Sequence, residues 1–105
     1  MDKAAAIDLA KKYAELVKAS FPPVKKIVLY GSYAHGSRRE HSDIDIAVVV
    51  DELQGDILES SSALYRLTDK VDVRIEPVIL EEKHDRSGFL AEILKTGEII
   101  YQKSA

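Results

Sequence analysis

Apolar and polar positions along this chain change period several times, and each change predicts an element. Ile7, Ala10, Ala14 and Val17 recur at helical spacing behind Asp2, a good capping residue, which predicts a helix through about residue 19. Phe21-Pro22-Pro23 ends it, because the residue before a proline is pushed out of the helical region. Residues 25–30 (Lys-Lys-Ile-Val-Leu-Tyr) are rich in β-branched and aromatic side chains and predict a short strand closed by Gly31. Ser32 stands where a short helix through Tyr33 and Ala34 would begin, followed by a polar loop over 36–42.

From residue 43 the period becomes two. Asp43, Asp45 and Ala47 fall on one face of a predicted strand over 43–50, and Ile44, Ile46 and Val48 fall on the other. A helix is predicted over about 53–69, with Ile57, Leu64 and Leu67 inward, although Gly55 weakens its start and Ser60 to Ser62 its middle. Alternation returns over 71–79, with Val71, Val73 and Ile75 on one face and Asp72, Arg74 and Glu76 on the other. After a charged loop over 81–86, a helix over about 87–96 runs to Gly97, and 98–102 predicts an edge strand. The pattern predicts helices interspersed with strands, with apolar strand faces under helices and the carboxylate face open, in a single domain over residues 1–105.

Two carboxylates at alternate strand positions have Cα atoms roughly 6.5 Å apart and point to the same side. Such a pair can bind two hard cations about 3.5–4 Å apart, the arrangement that two-metal phosphoryl transfer requires. Oxygen-only ligands favour Mg²⁺, with Mn²⁺ as a substitute, over zinc. Ten residues separate Gly31-Ser32 from Asp43. A glycine turn leading into a helix N-terminus offers free backbone N–H groups, suited to the β- and γ-phosphates of a nucleotide. If the strand over 71–79 lies beside that over 43–50, Asp72 joins the carboxylate face as a third metal ligand or as a base.

Gly31-Ser32-Tyr33-Ala34-His35-Gly36, then Ser42-Asp43-Ile44-Asp45, then Asp72, resemble the signature of the DNA polymerase β-type nucleotidyltransferase superfamily. The whole length is similar to its smallest branch, the minimal nucleotidyltransferases. Such proteins are typically encoded beside a HEPN-domain ribonuclease toxin and act as its antitoxin. The resemblance implies an α/β (α+β) fold of the polymerase β type, a small mixed β-sheet with helices packed on one face, together with Mg²⁺-dependent transfer of a nucleoside monophosphate and Asp43, Asp45 and Asp72 as metal ligands. It further implies ATP as donor of AMP, a tyrosine of the toxin as acceptor, and a hetero-oligomer. His35 stands where many relatives carry arginine, which leaves the metal site intact but removes any contact that arginine makes.

Composition narrows the class without altering this picture. A chain of 105 residues can bury about two-thirds of its unfolded surface, enough for an independent core. At net charge −3 no general affinity for nucleic acid is expected. The absence of cysteine excludes disulfides and Cys-based zinc sites and fits a reducing cytoplasm. No apolar run is long enough to span a membrane, and the N-terminus does not resemble a secretory signal. No P-loop motif is present. His35, His41 and His84 match no metal-ligand spacing, Tyr33 reads as packing, and Lys25 and Lys26 as solvated. Arg38 and Arg39 lie between the motif halves, where phosphate contact and plain solvation are equally open.

With every element needed to cover the sheet, none remains to bind an acceptor, which must come from another chain or a large docking molecule. Active transfer of a nucleotide is one reading of this set. The other is an antitoxin acting by binding alone, and the trio of aspartates favours transfer. A half-site of an antibiotic nucleotidyltransferase is a third.

Overall fold

The computed structural model describes residues 2–31, 33 and 43–104. Its elements are α1 (Lys3–Ser20), β1 (Lys26–Tyr30), β2 (Ile44–Val50), α2 (Ile57–Thr68), β3 (Ile75–Glu81), α3 (Phe89–Thr96) and β4 (Glu98–Gln102). The four strands form one mixed sheet in the order β3-β2-β1-β4. β1 is antiparallel to both β2 and β4, whereas β2 and β3 run parallel. A parallel pair needs a crossover connection, and α2 supplies it. Pro77 sits on the edge strand β3, where a missing N–H is tolerated.

Local chemistry sets the helix limits. Asp2 caps α1 by accepting from the Ala5 N–H at 2.8 Å, and the Phe21 N–H closes its far end on the Val17 carbonyl at 2.7 Å. Its buried stripe is Ala6, Ala10, Tyr13, Ala14 and Val17, with Ile7 partly buried against the same core. α2 begins later than residue 53. Gly55 takes a positive φ of 95° and Asp56 caps the helix, accepting from Leu58 N at 2.8 Å and Glu59 N at 3.4 Å. Leu64 points inward as expected, but Ile57 in the first turn is 47% exposed. α3 begins at Phe89 rather than 87, where the Asp85 carboxylate accepts from Leu90 N and Ala91 N.

The sheet has two covered faces. Ile27, Leu29, Ile44, Ile46, Val48 and Ile75 pack with α1 and α2 in the larger core. Val28, Ala47 and Val49 point the other way and meet Leu90 and Ile93 of α3. The expected one-sided cover therefore holds for two helices, while the third lies on the opposite face. The cause is legible in β2, which is buried at Ile46, Ala47, Val48, Val49 and Val50 alike; such continuous apolar runs need cover on both sides. Gly97 permits the tight return from α3 into β4. A Cβ there would come within 2.8 Å of the Leu29 carbonyl, the Val28 Cγ1 and the Ile93 carbonyl.

One polar link ties the two large helices together. The buried Tyr13 hydroxyl donates to the Leu64 carbonyl at 2.7 Å, and burial pushes its pKa well up. Tyr13→Phe removes that bond while keeping the ring, so a loss of about 1 kcal/mol is expected in urea unfolding. Lys25 and Lys26, expected to be merely solvated, both reach Glu82 at the end of the sheet remote from Asp45. His84 is an exposed local contact, 2.6 Å from Glu52.

Candidate active site

The register of three strands assembles the site. Tyr30 at the end of β1 lies directly across from Asp45 on β2, and Asp45 lies directly across from Glu76 on β3. All three share the sheet face that α3 covers farther along, because Val28, Ala47 and Val78 belong to the same alternating set. Asp43, exposed, precedes the first residue of β2. Burial raises the Asp45 pKa, and the nearby charges of Asp43 and then Glu76 raise it further.

Gly31 is required by this crowding. It takes a φ of 76°, and a Cβ built there would lie 2.3 Å from Asp45 Oδ2 and 3.2 Å from its Cγ. The turn and the carboxylate therefore occupy one space, which only a glycine leaves free. Ser32, the proposed phosphate-binding cap, lies outside the described residues, as do His35, Arg38, Arg39, His41 and the loop over 36–42. Tyr33 is 1% exposed and belongs to the larger core, as expected from packing; its hydroxyl finds no partner among the described residues.

Asp72 is placed differently from expectation. The strand over 71–79 begins only at Ile75, so Asp72 stands in the turn ahead of it. There Asp72 Oδ1 accepts from the Arg74 backbone N–H at 2.8 Å and from Arg74 Nε at 2.9 Å, and Oδ2 accepts from Nη2 at 2.7 Å. These bonds hold its carboxyl below the usual range. An aspartate that folds back on its own turn competes with strand extension, which explains the late start of β3. The acid that does lie beside Asp45 is Glu76. Its signal was present in the sequence, since it shares the polar face of the 71–79 alternation.

Aromatic residues frame the row. Phe89 packs edge-on to Tyr30 with ring centroids 5.7 Å apart, and burial, followed by Asp45, raises the Tyr30 pKa. On the other side the Tyr65 hydroxyl of α2 donates to Glu76 Oε2 at 2.8 Å, a bond that raises its pKa. Tyr65 and Phe89 remain 45% and 43% exposed, so both border open surface.

An all-oxygen donor set under mutual repulsion suits a hard divalent cation such as Mg²⁺. Among the described residues no three His, Cys, Asp or Glu side chains are gathered closely enough to hold a cation, and one Glu76 oxygen is engaged by Tyr65. The crowding has a consequence for stability. A carboxyl whose folded pKa is raised releases its proton later than in the unfolded chain, so its contribution falls as pH rises through that interval. Asp45→Asn should therefore stabilise the metal-free protein at neutral pH, by up to about 1 kcal/mol, because it removes a partly buried charge and its repulsion from Asp43 and Glu76. Urea midpoints measured at pH 7 and again below the ordinary aspartate range should differ between wild type and variant only at the higher pH.

The polymerase beta nucleotidyltransferase family matches residues 11–105. A Methanocaldococcus jannaschii protein provisionally named protein adenylyltransferase MJ0604 is 29% identical over 93 residues, covering 87% of this chain and 93% of that protein. Protein adenylyltransferase MntA of Shewanella oneidensis is 33% identical over 75 residues, which span 66% of this chain and 54% of its own length. Among solved structures, a Sulfolobus solfataricus protein provisionally described as a nucleotidyltransferase superposes with a TM-score of 0.73 at 22% identity, covering 96% of this chain and 84% of that one. The tri-AMPylated Shewanella oneidensis HEPN toxin in complex with MNT antitoxin gives a TM-score of 0.63 at 20% identity, over 96% of this chain and 73% of that one. At those identities the two structures speak to the fold, a mixed sheet with three helices among the described residues. The match over nearly the whole chain, on a fold that brings Gly31, Asp43 and Asp45 to one sheet end, makes this chain a member of the polymerase beta nucleotidyltransferase family.

Proposed function

We propose that this chain transfers AMP from ATP to a tyrosine hydroxyl of a HEPN-domain toxin in the cytoplasm, and so acts as the antitoxin of a two-protein system. The carrying observation is the row Asp45–Glu76 on adjacent strands, with Asp43 at its end and the Gly31 turn against it. The names of the Methanocaldococcus and Shewanella relatives support protein as the acceptor, and the toxin–antitoxin structure supports the partner.

Asp43 and Asp45 would hold a pair of Mg²⁺ ions, with Glu76 directly across from Asp45 on the next strand. When bound, Mg²⁺ would neutralise the triphosphate and polarise the α-phosphate. Gly31, lacking a side chain, lets the backbone approach the phosphates, and Ser32 is the residue expected to bind them beside it. Glu76 accepts a hydrogen bond from a phenol in this structure, and the same oxygen is suited to take the acceptor tyrosine's proton as it attacks. Asp72 plays a different part, fixing the Arg74 guanidinium in the turn before β3.

The test is label transfer from ATP carrying radioactive α-phosphorus to a co-expressed HEPN partner. Asp43→Asn with Asp45→Asn should abolish transfer with the circular dichroism spectrum unchanged. Full transfer by that double variant would refute the metal assignment. A partner that binds the wild type yet never takes label would make the chain an antitoxin by binding alone.

A further inference from the structure

Of the chain's five tyrosines, one has the surroundings of an acceptor. Tyr13 and Tyr33 are buried. Tyr101 lies under Lys18, whose Nζ is 4.8 Å from its ring centroid, and packs with the core on the α1 side. Tyr30 borders the acid row but packs into the smaller core beside Phe89. Tyr65 alone combines a 45% exposed side chain with a hydroxyl hydrogen-bonded to a carboxylate of the row, at 2.8 Å. It projects from α2 and so reaches the row from outside the sheet.

We propose that Tyr65 is itself an adenylyl acceptor, modified by its own chain through the contact with Glu76. The inference rests on the transfer reaction proposed above. The Tyr65 oxygen attacks the α-phosphorus of ATP and forms a phenolic O–P bond. The bond between that phosphorus and the bridging oxygen breaks, and pyrophosphate leaves with the electron pair. The phenolic proton passes to Glu76, leaving a tyrosyl-AMP and no net redox change. Effective concentration favours the event, because the nucleophile is already held at the row rather than delivered by collision. The attached AMP would then lie over the acids, so each chain would accept a single AMP and its site would close behind it.

The test uses the purified chain alone, with Mg²⁺ and ATP, followed by intact mass and peptide mapping. Wild type should gain the mass of one AMP on the peptide holding Tyr65; Tyr65→Phe and Glu76→Gln should gain none. A parallel reaction contains the HEPN-domain partner. Label on the partner with none on the chain would overturn the Tyr65 assignment and leave the transfer reaction standing. Label on neither would overturn both, and AMP on any other residue would overturn the Tyr65 assignment. A second readout is independent of turnover. The ¹³Cζ signal of Tyr65 should move when Mg²⁺ and a non-hydrolysable ATP analogue are added to wild type, and stay fixed in the Asp43→Asn, Asp45→Asn variant. An unmoved wild-type signal would place Tyr65 away from the nucleotide and overturn the proposal.

Discussion

Glu76→Gln is expected to lower the rate of AMP transfer to a partner by at least about 100-fold, the scale on which single preorganised charges matter in such sites. Asp72→Asn is expected to cost only a few-fold. The contrast follows from register. Glu76 faces Asp45 across a parallel ladder, whereas Asp72 lies ahead of β3 with both oxygens on Arg74. Single-turnover rates at saturating Mg²⁺ and ATP would measure it. The two variants also differ in pH response. The Asp72 carboxyl titrates below its ordinary value, so its contribution to stability is full above that value and is lost as pH falls through the lowered one. Asp72→Asn should thus behave like wild type in the most acidic unfolding curves and fall behind it nearer neutrality. Equal loss of transfer in both variants would mean that Asp72 moves to the row when nucleotide binds.

Gly31→Ala is the second large effect. An alanine at φ 76° costs about 1–2 kcal/mol in backbone strain. Its methyl would also claim the position of Asp45 Oδ2, and the carboxylate must rotate off the row. Displacing a reacting group by about 1 Å can cost roughly 100-fold, and that loss should appear in transfer rate and in Mn²⁺ affinity together. If Mn²⁺ affinity held while the rate fell, Gly31 would serve the phosphates alone.

The half of the site on β2 was legible because two independent signals coincide there. The alternation of Asp43 and Asp45 with Ile44 and Ile46 sets the face, and Gly31 marks where the preceding strand must stop. The half on β3 was not. Val71 to Glu76 alternate without a break, and period two carries no information about where a strand begins. The start is decided by a local hydrogen bond from Arg74 N–H to Asp72, which leaves no mark on the pattern, and pairing with β2 decides which acid of the polar face, Asp72 or Glu76, meets Asp45. The cover of the second face was written more plainly. Five consecutive buried positions, Ile46 to Val50, cannot belong to a sheet with one open side, and α3 supplies Leu90 and Ile93 to meet them. The contact of Tyr65 with Glu76 spans eleven residues and a change of element, beyond the reach of any periodicity.

In the proposed reaction the acid row directs attack on the α-phosphorus of ATP. The most direct measurement incubates the chain, its HEPN-domain partner and Mg²⁺ with ATP labelled at the α-phosphorus in one reaction and the γ-phosphorus in another. Label should reach protein only from the α position, with pyrophosphate released in equal amount. Protein labelled from the γ position, or ATP consumed with no α-label on protein, would contradict it.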